Sequence, residues 1–104
     1  MFLPQNMRIV LVREPVSGRF GMYRLLAQLS NNAFGVGWNG VDRIAVLTFN
    51  KKRTIATMII VDSSGTSLVR RVLNSGRFDI ELDEGKIPLS YTRSELEELL
   101  RLDT

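Results

Sequence analysis

The chain has 104 residues, 44% hydrophobic and 24% charged, the proportions of one ordinary globular domain rather than of a disordered or fibrous chain. It contains no histidine and no cysteine, which excludes a disulfide framework, a thiolate or imidazole metal site and the usual general base near neutral pH. A net charge of +3 conceals a division: residues 1–77 carry eleven basic side chains, nine of them arginine, against three acidic ones, net +8, while residues 78–104 carry three basic against eight acidic, net −5.

The run Met7 to Val12 is rich in strand formers and is closed by Arg13-Glu14-Pro15, where proline removes a ladder donor; it predicts a first strand. Between Ser17 and Asn31, the apolar positions Met22, Leu25, Leu26 and Leu29 keep the spacing of one helical face, with Ser17 as the expected cap and Asn31-Asn32 as the stop. Arg19 and Arg24 then fall in the first turns, where the helix dipole disfavours cations, so a partner or solvent explains them better than helix stabilisation. Gly35-Val36-Gly37-Trp38-Asn39-Gly40 reads as a turn-rich connector. Arg43 to Phe49 and Thr54 to Val61 follow as two strands joined by Asn50-Lys51-Lys52-Arg53, a hairpin with a basic tip.

Beyond the turn Ser63-Ser64-Gly65, residues Thr66 to Leu73 predict another strand, although Leu68, Val69, Val72 and Leu73 would also suit a short helix; in a strand, Arg70 and Arg71 face opposite ways. After Asn74-Ser75-Gly76, Phe78, Ile80 and Leu82 alternate with Arg77, Asp79, Glu81 and Asp83, the pattern of a strand with one wet face. Thr92 and Glu95 form a capping box ahead of Leu96, Leu99 and Leu100, predicting a short C-terminal helix. The expected fold is therefore one α+β domain over residues 1–104: an antiparallel β meander of about five strands, order β-α-β-β-β-β-α, packed against one longer helix, with the short helix last. The start lacks the basic and long apolar regions of a signal peptide, and no stretch reaches the ~18 apolar residues of a membrane span, so a cytoplasmic protein without membrane contact is expected.

Two glycine motifs point toward phosphate chemistry and fail on context. Gly35 to Gly40 matches the G-x-G-x-x-G string, with Asp62 downstream, but a dinucleotide site needs a strand before the glycines and a helix after, and here the order is reversed. Val61-Asp62-Ser63-Ser64-Gly65-Thr66-Ser67 has the composition of the phosphate loops of sugar kinases and actin-like ATPases, which require two large lobes; a β turn in which Asp62 and Ser63 cap local amides fits this chain better. The first 77 residues hold only Glu14, Asp42 and Asp62 as acids, each isolated, so no carboxylate pair for acid–base catalysis can be named and no enzyme, metal or cofactor is expected. The basic candidates are Arg19, Lys51, Lys52, Arg53, Arg71 and Arg77, a set suited to a polyanion such as the DNA backbone, with Trp38 as a stacking residue or a packing anchor.

Taken in order, these segments resemble the small TnpB accessory proteins encoded by the second reading frame of insertion-sequence elements of type sixty-six. Met7 to Val12 is similar to the family's opening strand. Ser17-Gly18-Arg19-Phe20-Gly21 falls on its Asp-Met-Arg-Lys-Gly motif, agreeing at Arg19 and Gly21. Gly37-Trp38-Asn39-Gly40 lies where the family has Pro-Phe-Ser-Gly, and Phe49 to Arg53 lies on its basic hairpin. Asp62, Gly65, Leu68, Arg71, Leu73, Gly76 and Phe78 match its Trp-Asp-Gly-x-Gly to Lys-Arg-Leu-x-x-Gly-x-Phe signature in register, and Thr92 to Leu100 resembles its closing helix. The signature tryptophan is Val61 here, the family's third-strand lysine is Thr57, and its aromatics after Gly65 are Ser67 and Val69. The resemblance implies a non-catalytic accessory factor in DNA transposition that acts with a separate transposase or another element-encoded protein. The alternative is a protein–protein interaction module without nucleic-acid contact, whose partner is the transposase or a second copy of the chain.

Overall fold

The computed structural model describes residues 3–4, 6–83, 85 and 87–100. Its elements are β1 (Ile9–Leu11), α1 (Met22–Ser30), β2 (Ile44–Phe49), β3 (Ile55–Asp62), β4 (Gly65–Val72), β5 (Leu89–Tyr91) and α2 (Arg93–Leu100). The strands form one mixed sheet in the order β4-β3-β2-β1-β5. The α+β class, the number of strands and the two helices agree with the sequence expectation.

The meander is confined to β2, β3 and β4, which pair antiparallel through short turns. Strand β1 instead lies parallel to β2, Ile9 against Ala45 and Leu11 against Leu47. Parallel neighbours need a long crossover, and the segment from Val12 to Arg43, containing α1, supplies it. The result is two helical layers rather than one. Val46, Ile59 and Val61 face Leu25, Leu29 and Phe34 on the α1 side. Leu11, Leu47, Phe49 and Met58 face Leu96, Leu100, Phe78 and Ile80 on the other. Strands β2 and β3 are covered on both faces, which is why they read as nearly unbroken apolar runs rather than as alternating ones.

The strand expected over residues 77–83 does not form. Phe78 and Ile80 are buried and Leu82 packs beside them, so the alternation is real, but it belongs to an extended segment without a ladder. Phe78 N donates to Arg53 O at 2.7 Å and Asp83 N to Arg13 O at 3.1 Å, so the segment crosses from the β3 side of the sheet to the β1 side. The fifth strand is Leu89–Tyr91, antiparallel to β1 at the far edge.

The helix starts differ from one another. In α2 the capping box is complete: Glu95 N donates to Thr92 Oγ1 at 3.2 Å and Thr92 N to Glu95 Oε1 at 2.8 Å. Hydrogen bonds from the Thr92 backbone and then its hydroxyl, with Arg8 nearby, hold the Glu95 carboxyl below its ordinary value. Asp62 is lowered likewise by the Ser64 hydroxyl, then by the Ser64 and Gly65 amides and Arg43. Both groups stabilise the fold above their ordinary values of 4.5 and 3.8 and lose that contribution as pH falls through their lower folded values. Acid denaturation followed by circular dichroism should therefore show a stability decline below about pH 4, and Glu95→Gln should flatten it.

Helix α1 begins at Met22, behind an N-cap of Gly21 that offers no side-chain bond, and not at Ser17. Ser17 Oγ instead accepts from Arg19 N at 3.2 Å, closing the preceding turn. Gly18 in that turn lies against Ile55: a Cβ there would sit 2.7 Å from Ile55 Cδ1 and 3.1 Å from its Cβ. Gly18→Val should cost about 1–3 kcal/mol in urea denaturation, since Ile55 is pinned in β3 and has little room to yield.

Candidate functional site

Four segments meet at the end of the sheet where β2 turns into β3. Val16 N donates to Phe49 O at 2.8 Å, bringing the approach to α1 over the end of β2. Gly18 abuts Ile55, and Arg70 Nη2 donates to Phe20 O, tying that approach to β4. Leu73 N donates to Thr54 O at 2.9 Å, and Phe78 N to Arg53 O, so the chain leaving β4 folds back onto the hairpin tip. Asn50 orders the tip itself: its Oδ1 accepts from Thr54 N and Ile55 N at 2.8 and 2.9 Å, and its Nδ2 donates to Thr54 Oγ1.

This convergence places all six candidate cations at one end of the molecule, on different segments. Arg19 stands on the α1 side, Lys51 and Lys52 at the tip, and Arg77 on the return from β4. Arg71 lies opposite Ala56 on the α2 side of edge strand β4. These five side chains are exposed, and among the described residues none is in an ion pair. Arg53 differs. It is half-buried, holds a left-handed backbone with φ 60°, and donates from Nη1 to Ile80 O at 3.1 Å, so it braces the tip against residues 78–80.

Two other arginines are also engaged. Arg70 Nε donates to Thr57 Oγ1 at 3.1 Å, satisfying one of the two buried threonines of the central strands; the other, Thr48, donates its Oγ1 to Thr57 O. The Arg24 guanidinium stacks 4.0 Å above the Phe20 ring. The first turn of α1 contains no acidic residue and begins at this same cationic end.

The acidic segment is less independent than its sequence suggests. Asp79 and Glu81 line a cleft with Arg13 and Arg53, Glu97 pairs with Arg93 at 2.8 Å, and Glu95 caps α2. Of the other tail charges, Asp83 follows on the same crossing segment and Glu98 lies on α2, while Glu84, Lys86, Arg101 and Asp103 lie outside the described residues.

Trp38 stands at the opposite end of the sheet, ahead of β2, half-buried against the α1-side core, and its Nε1 donates to Asp42 O at 2.8 Å. It is a packing anchor, far from the hairpin cations. The G-x-G-x-x-G string is a sequence of turns with Gly35, Gly37 and Gly40 at φ 69°, 71° and 84°, preceded by α1 and followed by β2. Asp62 Oδ1 accepts from Ser64 N, Ser64 Oγ and Gly65 N at 2.8, 2.6 and 3.1 Å, the local turn expected in place of a phosphate loop.

Among the described residues, no three acidic side chains are grouped to hold a metal ion, and no helix is long and apolar enough to cross a membrane. Comparison with family models, with characterised proteins and with solved structures returned no match to this chain.

Proposed function

We propose that this protein is a non-catalytic accessory factor of DNA transposition in the cytoplasm, holding the DNA backbone with the cationic end of its sheet and acting beside a separate transposase. One observation carries the DNA part: Arg19, Lys51, Lys52 and Arg77, distant in sequence, are gathered as exposed cations around one hairpin tip. Phosphates are spaced along both strands of a duplex, so cations around a projecting tip can engage several at once without base-specific contacts. Transposition is supported by the motif series, of which Arg19, the basic hairpin and Gly76-Arg77-Phe78 lie at this same end.

A gel-shift titration on duplex DNA over a salt series tests the reading. Four phosphate contacts predict a slope of log affinity against log salt of about −3.6, and absence of binding at low salt would remove DNA from the proposal. A second reading, a protein-interaction module without nucleic acid, is favoured by the composition of the tip: residues 50–53 carry no aromatic ring on which a base could stack, and Trp38 stands at the other end of the sheet. Pull-down of the transposase from nuclease-treated extract separates the two: a complex that survives nuclease is direct, and one that is lost was bridged by DNA.

A further inference from the structure

Strand β4 is an edge of the sheet, eight residues long, with no proline and no break in its pairing to β3. The opposite edge, β5, has three residues. Long, regular, exposed edges are rare in isolated chains because their unpaired N–H and C=O groups template another strand. Which groups are free follows from one bond. Leu73 N donates to Thr54 O, so Leu73 faces β3, and by alternation so do the main-chain groups of Gly65, Ser67, Val69 and Arg71. The N–H and C=O of Thr66, Leu68, Arg70 and Val72 therefore point outward.

We propose that β4 pairs antiparallel with β4 of a second copy of this chain, centred on Leu68, to give a continuous ten-stranded sheet. A two-fold axis normal to the sheet keeps each face on its own side, so opposed residues must share a face and only every second register is closed. Registers centred on Arg70 or Arg71 set identical guanidinium groups directly opposite each other and are repelled. The register centred on Val69 opposes Arg71 to Ser67 and Arg70 to Leu68, giving neither arginine an acidic neighbour. The register centred on Leu68 sets Leu68 against its own copy, Val69 against Ser67, Arg70 against Thr66 and Arg71 against Gly65.

The last of these oppositions selects the register. Gly65 has no side chain, and a Cβ added there would meet nothing within 4 Å. Directly behind it in the same row, on the same face, is Asp62 of β3. Asp62 Oδ1 is saturated by its turn, while Oδ2 accepts no hydrogen bond among the described residues. Arg71 of one copy thus reaches across the bare glycine of the other toward Asp62, over two strand spacings of about 10 Å, within the combined length of the two side chains. Symmetry makes two such pairs. On the α1 side, Ile59, Leu68 and their copies form one apolar row. Arg71 is then a protein-contact residue, set apart from the four cations assigned to DNA.

Sedimentation velocity of the intact chain, from low micromolar to millimolar concentration without nucleic acid, provides the test. The expected result is a concentration-dependent dimer. Thr66→Pro removes an outward N–H that the monomer does not use and should leave the denaturation midpoint nearly unchanged while abolishing the dimer. Arg71→Glu, which turns its charge against Asp62 across Gly65, should weaken the dimer by about tenfold or more. Asp62→Asn, which retains the turn-capping Oδ1, should weaken the natural dimer yet partly restore that of the Arg71→Glu chain. A monomer at all concentrations, or a dimer indifferent to both Thr66→Pro and Arg71→Glu, overturns the proposal; loss of DNA binding alone leaves it standing.

Discussion

Replacing Lys51 and Lys52 together by glutamate should reduce affinity for duplex DNA on the order of 100-fold at moderate salt, enough to erase the shifted band. The two side chains are exposed at the tip of the β2–β3 hairpin, and the tip is ordered by Asn50 and by the Arg53 brace rather than by the lysines. The substitution should therefore leave the circular dichroism spectrum and denaturation midpoint unchanged. Replacement by alanine is the finer measurement: each lost phosphate contact lowers the salt slope by about one, so the double alanine chain should fall by about two. Affinity should decline equally on unrelated sequences, because phosphate contacts carry no base information. A double glutamate chain that binds as before would move DNA elsewhere on the surface and remove the hairpin from the proposal.

Phe49→Ala should be the most destabilising single substitution at this end of the molecule, at about 3–5 kcal/mol by urea denaturation, a large share of the about 5–15 kcal/mol that holds a domain of this size. Phe49 is fully buried, and its ring meets Phe78 edge to face with centroids 5.2 Å apart at 63°. Its carbonyl also accepts from Val16, so the residue joins β2, the approach to α1 and the crossing segment. A double-mutant cycle with Phe78→Ala should return a coupling of about 0.5–1.5 kcal/mol beyond simple burial. If Phe49 and Phe78 prove additive, residues 78–82 do not lie across this face as described, and Arg77 loses its fixed place beside the hairpin.

The two experiments bear on one another because the cationic end is a product of packing. Arg77 is held next to the hairpin by its neighbour Phe78, which packs against Phe49 and donates to Arg53 O. A partly destabilised Phe49 variant, tested below its unfolding transition, should thus lose DNA affinity out of proportion to any charge change, since none is made.

Much of the secondary structure was legible in the residues. The hairpin between β2 and β3, the turn at Ser63-Ser64 and the α2 capping box all depend on chemistry within a few residues: turn formers between apolar runs, and a Thr–Glu pair three apart. The amphipathic face of α1 was equally plain, with Leu25 and Leu29 buried as its spacing requires, although its start was misplaced because Gly21 caps it without a side chain. The alternation over residues 77–83 misled for a definable reason. It reports that one side of an extended chain is buried and carries no information on whether the backbone has a ladder partner.

The α+β class, the hairpins, both helices and the separation of a basic body from an acidic tail all follow from the order of the residues. These rest on local periodicity, turn chemistry and composition, which hold wherever the segments are placed. Long-range packing sets the rest: β1 runs parallel to β2, β5 closes the far edge, and Arg53 is a brace while Arg19, Lys51, Lys52 and Arg77 ring one tip. Strand partners depend on which edge is free once the crossover is made, and the potential around a charge depends on its distance from the others. The +8 and −5 of the two stretches therefore do not translate into two independent surfaces, because Asp79 and Glu81 fold back beside Arg13 and Arg53.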